Sequence, residues 1–161
     1  MTPEEWLLDE TRGWVRRAED DLRAAAALIA AELPAEALYH CQQSAEKYIK
    51  AFLTRHQKPF RKTHDLRELA VGCADIDPDL ALALRPALDL TQYAWRFRYP
   101  GTPFEPDEPE VALGLQLAQT VREEILKRLS ETAHMQSAEA VPEEPESLTP
   151  TASESKAPPE I

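Results

Sequence analysis

Apolar residues recur every three or four positions through almost all of residues 1–132, which is the spacing of one face of an α-helix. No segment alternates apolar and polar residues with a period of two, as a half-buried β-strand does. The sequence therefore predicts an all-α fold. The short connections between the segments favour an antiparallel up-and-down helical bundle with four long helices and one short one.

Prolines and capping residues divide this pattern into five helices. Pro34 interrupts the first apolar stripe, and Asp65 with Glu68 has the spacing of a capping box at the start of the short third helix. Pro78 is suited to the first turn of the fourth helix. The apolar stripes of the first, second and last helices span 7–33, 38–52 and 111–129, and the second helix is expected to end near 55–58. The third helix is predicted from 65 to about 73. The fourth is predicted from Pro78 to the turn at Tyr99-Pro100-Gly101, with Leu84, Leu88, Thr91 and Trp95 on its apolar stripe.

The composition changes after residue 131. Residues 133–161 contain five Pro, six Glu and one Lys, with few large apolar side chains. Such a segment cannot bury enough apolar surface to offset the entropy lost on ordering. We therefore predict a folded domain over residues 1–131 and a disordered acidic tail, rich in Pro, Glu and Ser, over residues 132–161.

The overall composition excludes several classes of protein. The chain has 18 Lys and Arg against 29 Asp and Glu, a formal net charge of −11, which argues against a general nucleic-acid coat. No apolar stretch is long enough to cross a membrane, and the acidic N-terminus is unlike a signal peptide. The two cysteines have neither disulfide-framework nor zinc-site spacing. These features predict a cytoplasmic protein that does not associate with membranes.

One stretch reverses the acidic character of the chain. Seven basic residues and two histidines fall within 21 residues that contain a single acid, Asp65. Such a stretch could concentrate an anionic ligand, for example a nucleotide phosphate or an RNA backbone. The alternative is a solvated helix end, where cations interact favourably with the helix dipole. The basic residues are Lys47, Lys50, Arg55, Lys58, Arg61, Lys62 and Arg67, and the histidines are His56 and His64.

Two further groups of residues are candidates for binding. His40, Gln43 and Lys47 share one face of the second helix, flanked by Glu46 and Lys50, although a polar helix face is ordinarily the solvent side.

At the end of the fourth helix, Arg96 and Arg98 alternate with Phe97 and Tyr99, which could hold a phosphate and stack on a base. The alternative is an ordinary helix C-terminus followed by a turn. The acidic run 19–21 is expected to be exposed surface, because it lies largely opposite the apolar stripe of its helix.

No motif in the sequence implies a metal or a cofactor. The four histidines lack the spacing of metal ligands, and there is no glycine-rich phosphate loop. No Ser or Cys nucleophile has an obvious base nearby. We therefore expect neither a metal nor a cofactor.

Taken in order, these groups resemble the HEPN domain, a helical family named for nucleotide binding in higher eukaryotes and prokaryotes. The resemblance covers about residues 8–131. It rests on AEDDL at 18–22, ALYHCQQSAEK at 37–47, KTHDL at 62–66 and RYPG at 98–101. It implies a bundle of four or five helices that is usually a homodimer. Members are often encoded beside a small nucleotidyltransferase as a toxin–antitoxin or related pair.

One departure from the family bears on catalysis. Ribonuclease members carry an Arg followed by four to six residues and a His, whereas here no His follows Arg96 or Arg98 before His134. The chain therefore resembles the subgroup that ends in Arg-Tyr-Pro. The imidazole expected to assist proton transfer is missing, so ribonuclease activity is not expected.

The resemblance implies a non-catalytic protein that binds a nucleotide or RNA, forms a homodimer and acts with a nucleotidyltransferase. Two alternatives stay open: a ribonuclease that uses His40 or His64 as a substitute base, and a plain protein-interaction module. The candidate binding residues are His40, Gln43, Lys47, Lys50, His64, Arg98 and Tyr99.

Overall fold

The computed structural model describes residues 1–101 and 105–139, and within them it contains helices and no strand. This confirms the predicted all-α bundle. The predicted third helix matches the observed one to within a residue at each end. The α-helices are α1 (Pro3–Ala30), α2 (Pro34–Arg55), α3 (Leu66–Ala74), α4 (Pro78–Leu84) and α5 (Glu108–Glu139), and a 3-10 helix (Arg85–Ala94) follows α4 directly.

Local sequence signals define the ends of α1. The Thr2 hydroxyl accepts a hydrogen bond from the Glu5 amide at 3.1 Å, and the Glu5 carboxylate accepts one from the Thr2 amide at 2.7 Å. This capping box, with Pro3 in the first turn, begins the helix. Glu32 then adopts a left-handed conformation (φ 58°), and α2 begins two residues later at Pro34.

Helix α2 lies at the centre of the bundle. It is antiparallel to α1, since the Ser44 hydroxyl donates to the Ala18 carbonyl and His40 contacts Asp21. Helices α1, α3 and α5 and the 3-10 helix all pack against it. Its polar residues are therefore not on the solvent side of the bundle, which was the alternative left open by the sequence. Buried polar residues of α2 include Gln42, Gln43, Ser44, Glu46, Lys50, Thr54 and Arg55.

The fourth helix differs from the prediction. Instead of one continuous helix from Pro78 to the turn at Tyr99-Pro100-Gly101, the α-helix ends at Leu84 and the chain continues as a 3-10 helix to Ala94. Pro86 has no amide hydrogen for the carbonyl one turn back, and its ring crowds that carbonyl. Trp95, predicted on the apolar stripe of this helix, follows the last residue of the 3-10 helix and is 52% exposed.

The C-terminal helix extends further than expected. Helix α5 continues to Glu139, so residues 132–139, which the sequence assigned to the tail, are helical. They contain good helix formers such as Ala, Met, Gln and Glu, and the first proline comes only at Pro142. The rest of the predicted disordered tail, residues 140–161, lies outside the described residues. Over the part that is described, no helix has the length and apolarity needed to cross a membrane.

Candidate functional site

Most of the candidate residues lie together on one side of α2. Positions 40, 43, 46, 47 and 50 follow the three- and four-residue spacing of one helix face. Helix α1 and the segment before α3 each add one residue to this face. We call the group the α2 polar cluster: Asp21, His40, Gln43, Glu46, Lys47, Lys50 and His64.

Asp21 organises one end of the cluster. Its side chain is buried against α2, with the Oδ1 atom 2.8 Å from His40 Nδ1, and its Oδ2 atom accepts a hydrogen bond from Lys47 Nζ. The expectation that the acidic run is exposed is therefore wrong for Asp21. Position 21 lies three residues after Ala18 and four before Ala25, both buried, so it faces the bundle interior. That spacing was the available sequence signal.

Glu46 organises the other end. It is only 3% exposed; Oε1 accepts a hydrogen bond from Lys50 Nζ at 2.6 Å, and Oε2 lies 3.0 Å from His64 Nδ1. Gln42 Nε2 also donates to Oε2 at 3.0 Å. Burial alone would raise the pKa of Glu46, but these hydrogen bonds outweigh it and hold the pKa below the ordinary value. The carboxylate is therefore ionised at neutral pH.

Aromatic rings and amide side chains complete the cluster. The Lys50 ammonium lies 5.5 Å from the centre of the Trp14 ring and 5.8 Å from that of Phe60, within cation–π distance. Gln43 Nε2 donates to the Gln42 Oε1 atom at 2.7 Å. Because Gln42 in turn donates to Glu46, a chain of hydrogen bonds runs from Gln43 through Gln42 to Glu46.

Arg98 lies next to the cluster and contacts it through Tyr39, which the sequence analysis did not name as a candidate. Its guanidinium lies 4.8 Å from the centre of the Tyr39 ring, and Tyr39 packs edge-on against His40 at 5.4 Å. The exposed arginine is thus next to the Asp21 end of the cluster. The neighbouring Tyr99 ring is 73% exposed. Arg96 instead pairs with Glu110 of α5.

The basic stretch is not an uncompensated positive surface. Six of its seven cations form ion pairs, mostly with carboxylates from elsewhere in the chain, and Lys62 is exposed. The ion pairs are Lys47–Asp21, Lys50–Glu46, Arg55–Glu4, Lys58–Asp75, Arg61–Glu68 and Arg67–Asp89. The alternative, that these cations only serve as solvated helix ends, therefore does not describe Lys47, Lys50 and Arg55, which are buried or half-buried.

Comparison with known families identifies the fold. A model of the HEPN domain matches residues 11–129, about three quarters of the chain. The chain belongs to the HEPN domain family. Membership of this family indicates a function related to nucleotides or RNA. Neither a curated protein nor a solved structure matches the chain significantly.

Two carboxylate–imidazole pairs, Asp21–His40 and Glu46–His64, are the groups of this HEPN domain that could transfer a proton. In each pair, a neutral imidazole that donates its Nδ1 proton to the carboxylate keeps Nε2 as an acceptor. His64 is largely exposed, whereas His40 is more enclosed. The described residues contain no group of three or more His, Cys, Asp or Glu side chains able to hold a metal ion. The side chains of the α2 polar cluster can bind an anion, form hydrogen bonds and transfer a proton.

Proposed function

We propose that this HEPN domain binds a nucleotide or RNA at the Asp21 end of the α2 polar cluster and does not cleave it. The observation that carries the proposal is the Arg98 guanidinium, exposed over the Tyr39 ring and next to His40. A guanidinium that stacks on an aromatic ring is held in one orientation and can donate two parallel hydrogen bonds to two oxygens of a phosphate. The exposed Tyr99 ring is available for stacking on a base.

The lysines of the cluster hold the side chains around this binding surface in place and contribute little unpaired positive charge to it. Lys47 and Lys50 are already paired with Asp21 and Glu46, so neither ammonium carries a full unbalanced charge toward a ligand. Gln43 is buried and donates to Gln42, so it orders this face, whereas the partly exposed His40, which packs against Tyr39, can hydrogen-bond to a ligand held by Arg98. The family's ribonuclease motif lacks its histidine here, which supports binding without cleavage.

The proposal includes a cytoplasmic homodimer that acts with a nucleotidyltransferase partner, in the manner of a toxin–antitoxin pair. Its support is the family to which the chain belongs. Light scattering on the purified protein is expected to give about 36 kDa, twice the 18.1 kDa of one chain. Co-purification with the product of a neighbouring nucleotidyltransferase gene tests the partner. A mass of one chain, or no co-purification, contradicts these parts of the proposal.

Titration tests the binding site directly. ATP, GTP and a short single-stranded RNA are added to the full chain, and binding is followed by calorimetry or fluorescence anisotropy. Arg98→Ala is expected to weaken binding about tenfold, since one charge-assisted phosphate contact contributes about 1.4 kcal/mol or more. Arg61→Ala is the matched control, because Arg61 is exposed and paired with Glu68. Absence of saturable binding at millimolar ligand would remove the proposal and favour a plain interaction module.

The second candidate, a ribonuclease with a substitute base, is favoured by one specific observation. His40 and His64 each place Nδ1 about 3 Å from a buried carboxylate, at 2.8 Å and 3.0 Å respectively. This is the arrangement by which a carboxylate orients a histidine for general acid–base catalysis. Arg98 could stabilise the charge that develops on the phosphorus centre.

A cleavage assay separates the two candidates. Single-stranded RNA is incubated in EDTA with the wild-type protein and with a Lys47→Ala, His64→Ala double variant. We expect the same background rate for both proteins. Robust cleavage that is lost in His40→Gln or in His64→Gln, with the circular dichroism spectrum unchanged, would decide for the ribonuclease.

A further inference from the structure

A groove between α1 and α5 has no role in the function proposed above. Its volume is about 480 Å³, and it is lined by residues 8–16 of α1 and residues 126–133 of α5. Its apolar lining is partly exposed, and Val15, Leu126 and Leu129 of that lining also pack against the core. We call it the α1–α5 groove; the residues that matter for its chemistry are Leu8, Arg12, Val15, Arg16, Leu126 and Leu129.

Two arginines whose charge is not neutralised by an ion pair within the described residues line the groove. Arg12 and Arg16 are exposed and lie one helical turn apart, where like charges repel. No ion pair joins either of them to another described residue, whereas Arg23 and Arg122 of the same bundle have carboxylate partners. Aliphatic side chains beside two free guanidinium groups suit an acidic polypeptide with interspersed apolar residues. They suit RNA less well, because the groove offers no aromatic ring for a base.

We propose that residues 141–148 of the same chain bind in the α1–α5 groove. This segment reads Val-Pro-Glu-Glu-Pro-Glu-Ser-Leu, with three carboxylates between two apolar residues. Its composition complements the groove in both charge and apolar character. Val141 and Leu148 contact the aliphatic lining, and the glutamates pair with Arg12 and Arg16.

The length of the connection matches this placement. From Leu126 to Glu139, helix α5 covers about 20 Å at 1.5 Å per residue. The nine residues 140–148 reach up to about 30 Å when extended, so they can return along the whole groove. Because the segment is tethered a few residues from the groove, its effective concentration there is on the order of millimolar, and weak contacts suffice.

Paramagnetic relaxation in the full chain tests the proposal. A spin label is attached at Ser147→Cys; Cys41 and Cys73 do not compete, since both are buried and burial raises the pKa of each thiol to about 12. Amide signals of residues 8–16 and 126–133 are expected to lose about half of their intensity or more at about 50 mM salt. They should recover at about 500 mM salt, where exposed ion pairs are screened.

Variants of the groove make the test specific. Arg12→Ala with Arg16→Ala is expected to restore these signals, while Arg17→Ala, an exposed arginine of α1 that does not line the groove, leaves them broadened. Three results would overturn the proposal. They are no broadening at the groove, broadening that the double variant leaves unchanged, and broadening that persists when the label and the isotope are carried by different molecules. The last result would mean that the segment binds a second copy.

Discussion

Two buried carboxylates, Asp21 and Glu46, determine how the polar residues of α2 are arranged. A charge removed from water is costly unless a counter-charge and hydrogen bonds replace the lost hydration. Each carboxylate has a lysine and a histidine as partners. Removing one carboxylate therefore leaves a half-buried ammonium without compensation, which is more costly than removing an exposed pair.

The first prediction concerns Asp21→Asn. We expect it to lower the free energy of unfolding by about 2 kcal/mol, somewhat below the cost of breaking a fully buried pair, because Lys47 keeps some access to water. Asp20→Asn is the matched control; its ion pair with Arg23 is exposed, so the expected change is below about 0.5 kcal/mol. Urea denaturation measures both. Equal losses in the two variants would contradict the assigned role of Asp21.

The second prediction concerns pH and His56. Burial, followed by the neighbouring Arg55, lowers the pKa of His56, and its Nε2 atom has no hydrogen-bond partner among the described residues. As the pH falls through about 6.5, the unfolded chain binds a proton at this residue before the folded chain does, so stability decreases. Urea denaturation at about pH 7.5 and pH 5.5 should show a smaller decrease for His56→Gln than for wild type. Parallel curves would exclude His56 as a cause.

At the scale of elements, the parallel contact between α2 and α5 depends on one glycine. A Cβ atom at Gly114 would lie 2.3 Å from the Cδ2 atom of Leu38, which is fully buried and has little room to move. The two helices approach closely here because α5 has no side chain at this position. The same substitution at Gly13 meets no clash, because a Cβ atom there would lie 3.9 Å from the side chain of Arg16, an ordinary van der Waals contact.

The third prediction uses this pair of glycines. Gly114→Ala is expected to destabilise the protein by about 1–3 kcal/mol through overpacking, despite the better helix propensity of alanine. Gly13→Ala should stabilise it by about 0.5–1 kcal/mol, because it gains the propensity without a clash. Thermal denaturation of the two variants should therefore show shifts of opposite sign. Shifts of the same sign would mean that α5 can move away from α2.

At the scale of the whole molecule, ion pairs distribute the charge more evenly than the sequence suggests. The basic stretch is balanced by acids that lie up to 51 positions from the cation they neutralise, as in Arg55–Glu4. Among the described residues, the basic stretch is therefore not a segregated positive surface.

The fourth prediction follows from this balance. Glu68→Gln with Asp89→Asn frees the exposed Arg61 and Arg67, so the double variant should elute from heparin at a higher salt concentration than wild type. Glu123→Gln with Glu131→Gln changes the net charge equally, at exposed positions of α5 outside these ion pairs. This control should shift the elution less. Equal shifts would show that only net charge matters.

The sequence by itself determined the helices, most of their ends and the family. Periodicity, N-caps and prolines act within a few residues, so Asp65 and Pro78 mark the starts of α3 and α4 without knowledge of the rest of the fold. The prediction of one continuous fourth helix is wrong because Pro86 has the same local effect: it ends the α-helix at Leu84. For the candidate site, the α2 face could be predicted because its spacing is local.

Only the tertiary structure decided which charges pair with one another. Asp21 lies 19 positions from His40 and 26 from Lys47, and the antiparallel packing of α1 on α2 brings the three together. The contact of Arg98 with Tyr39 likewise depends on how the end of the 3-10 segment returns to α2. The energy of a charge depends on its distance to every other charge and to water. Those distances are set by helix packing, which no local pattern in the sequence specifies.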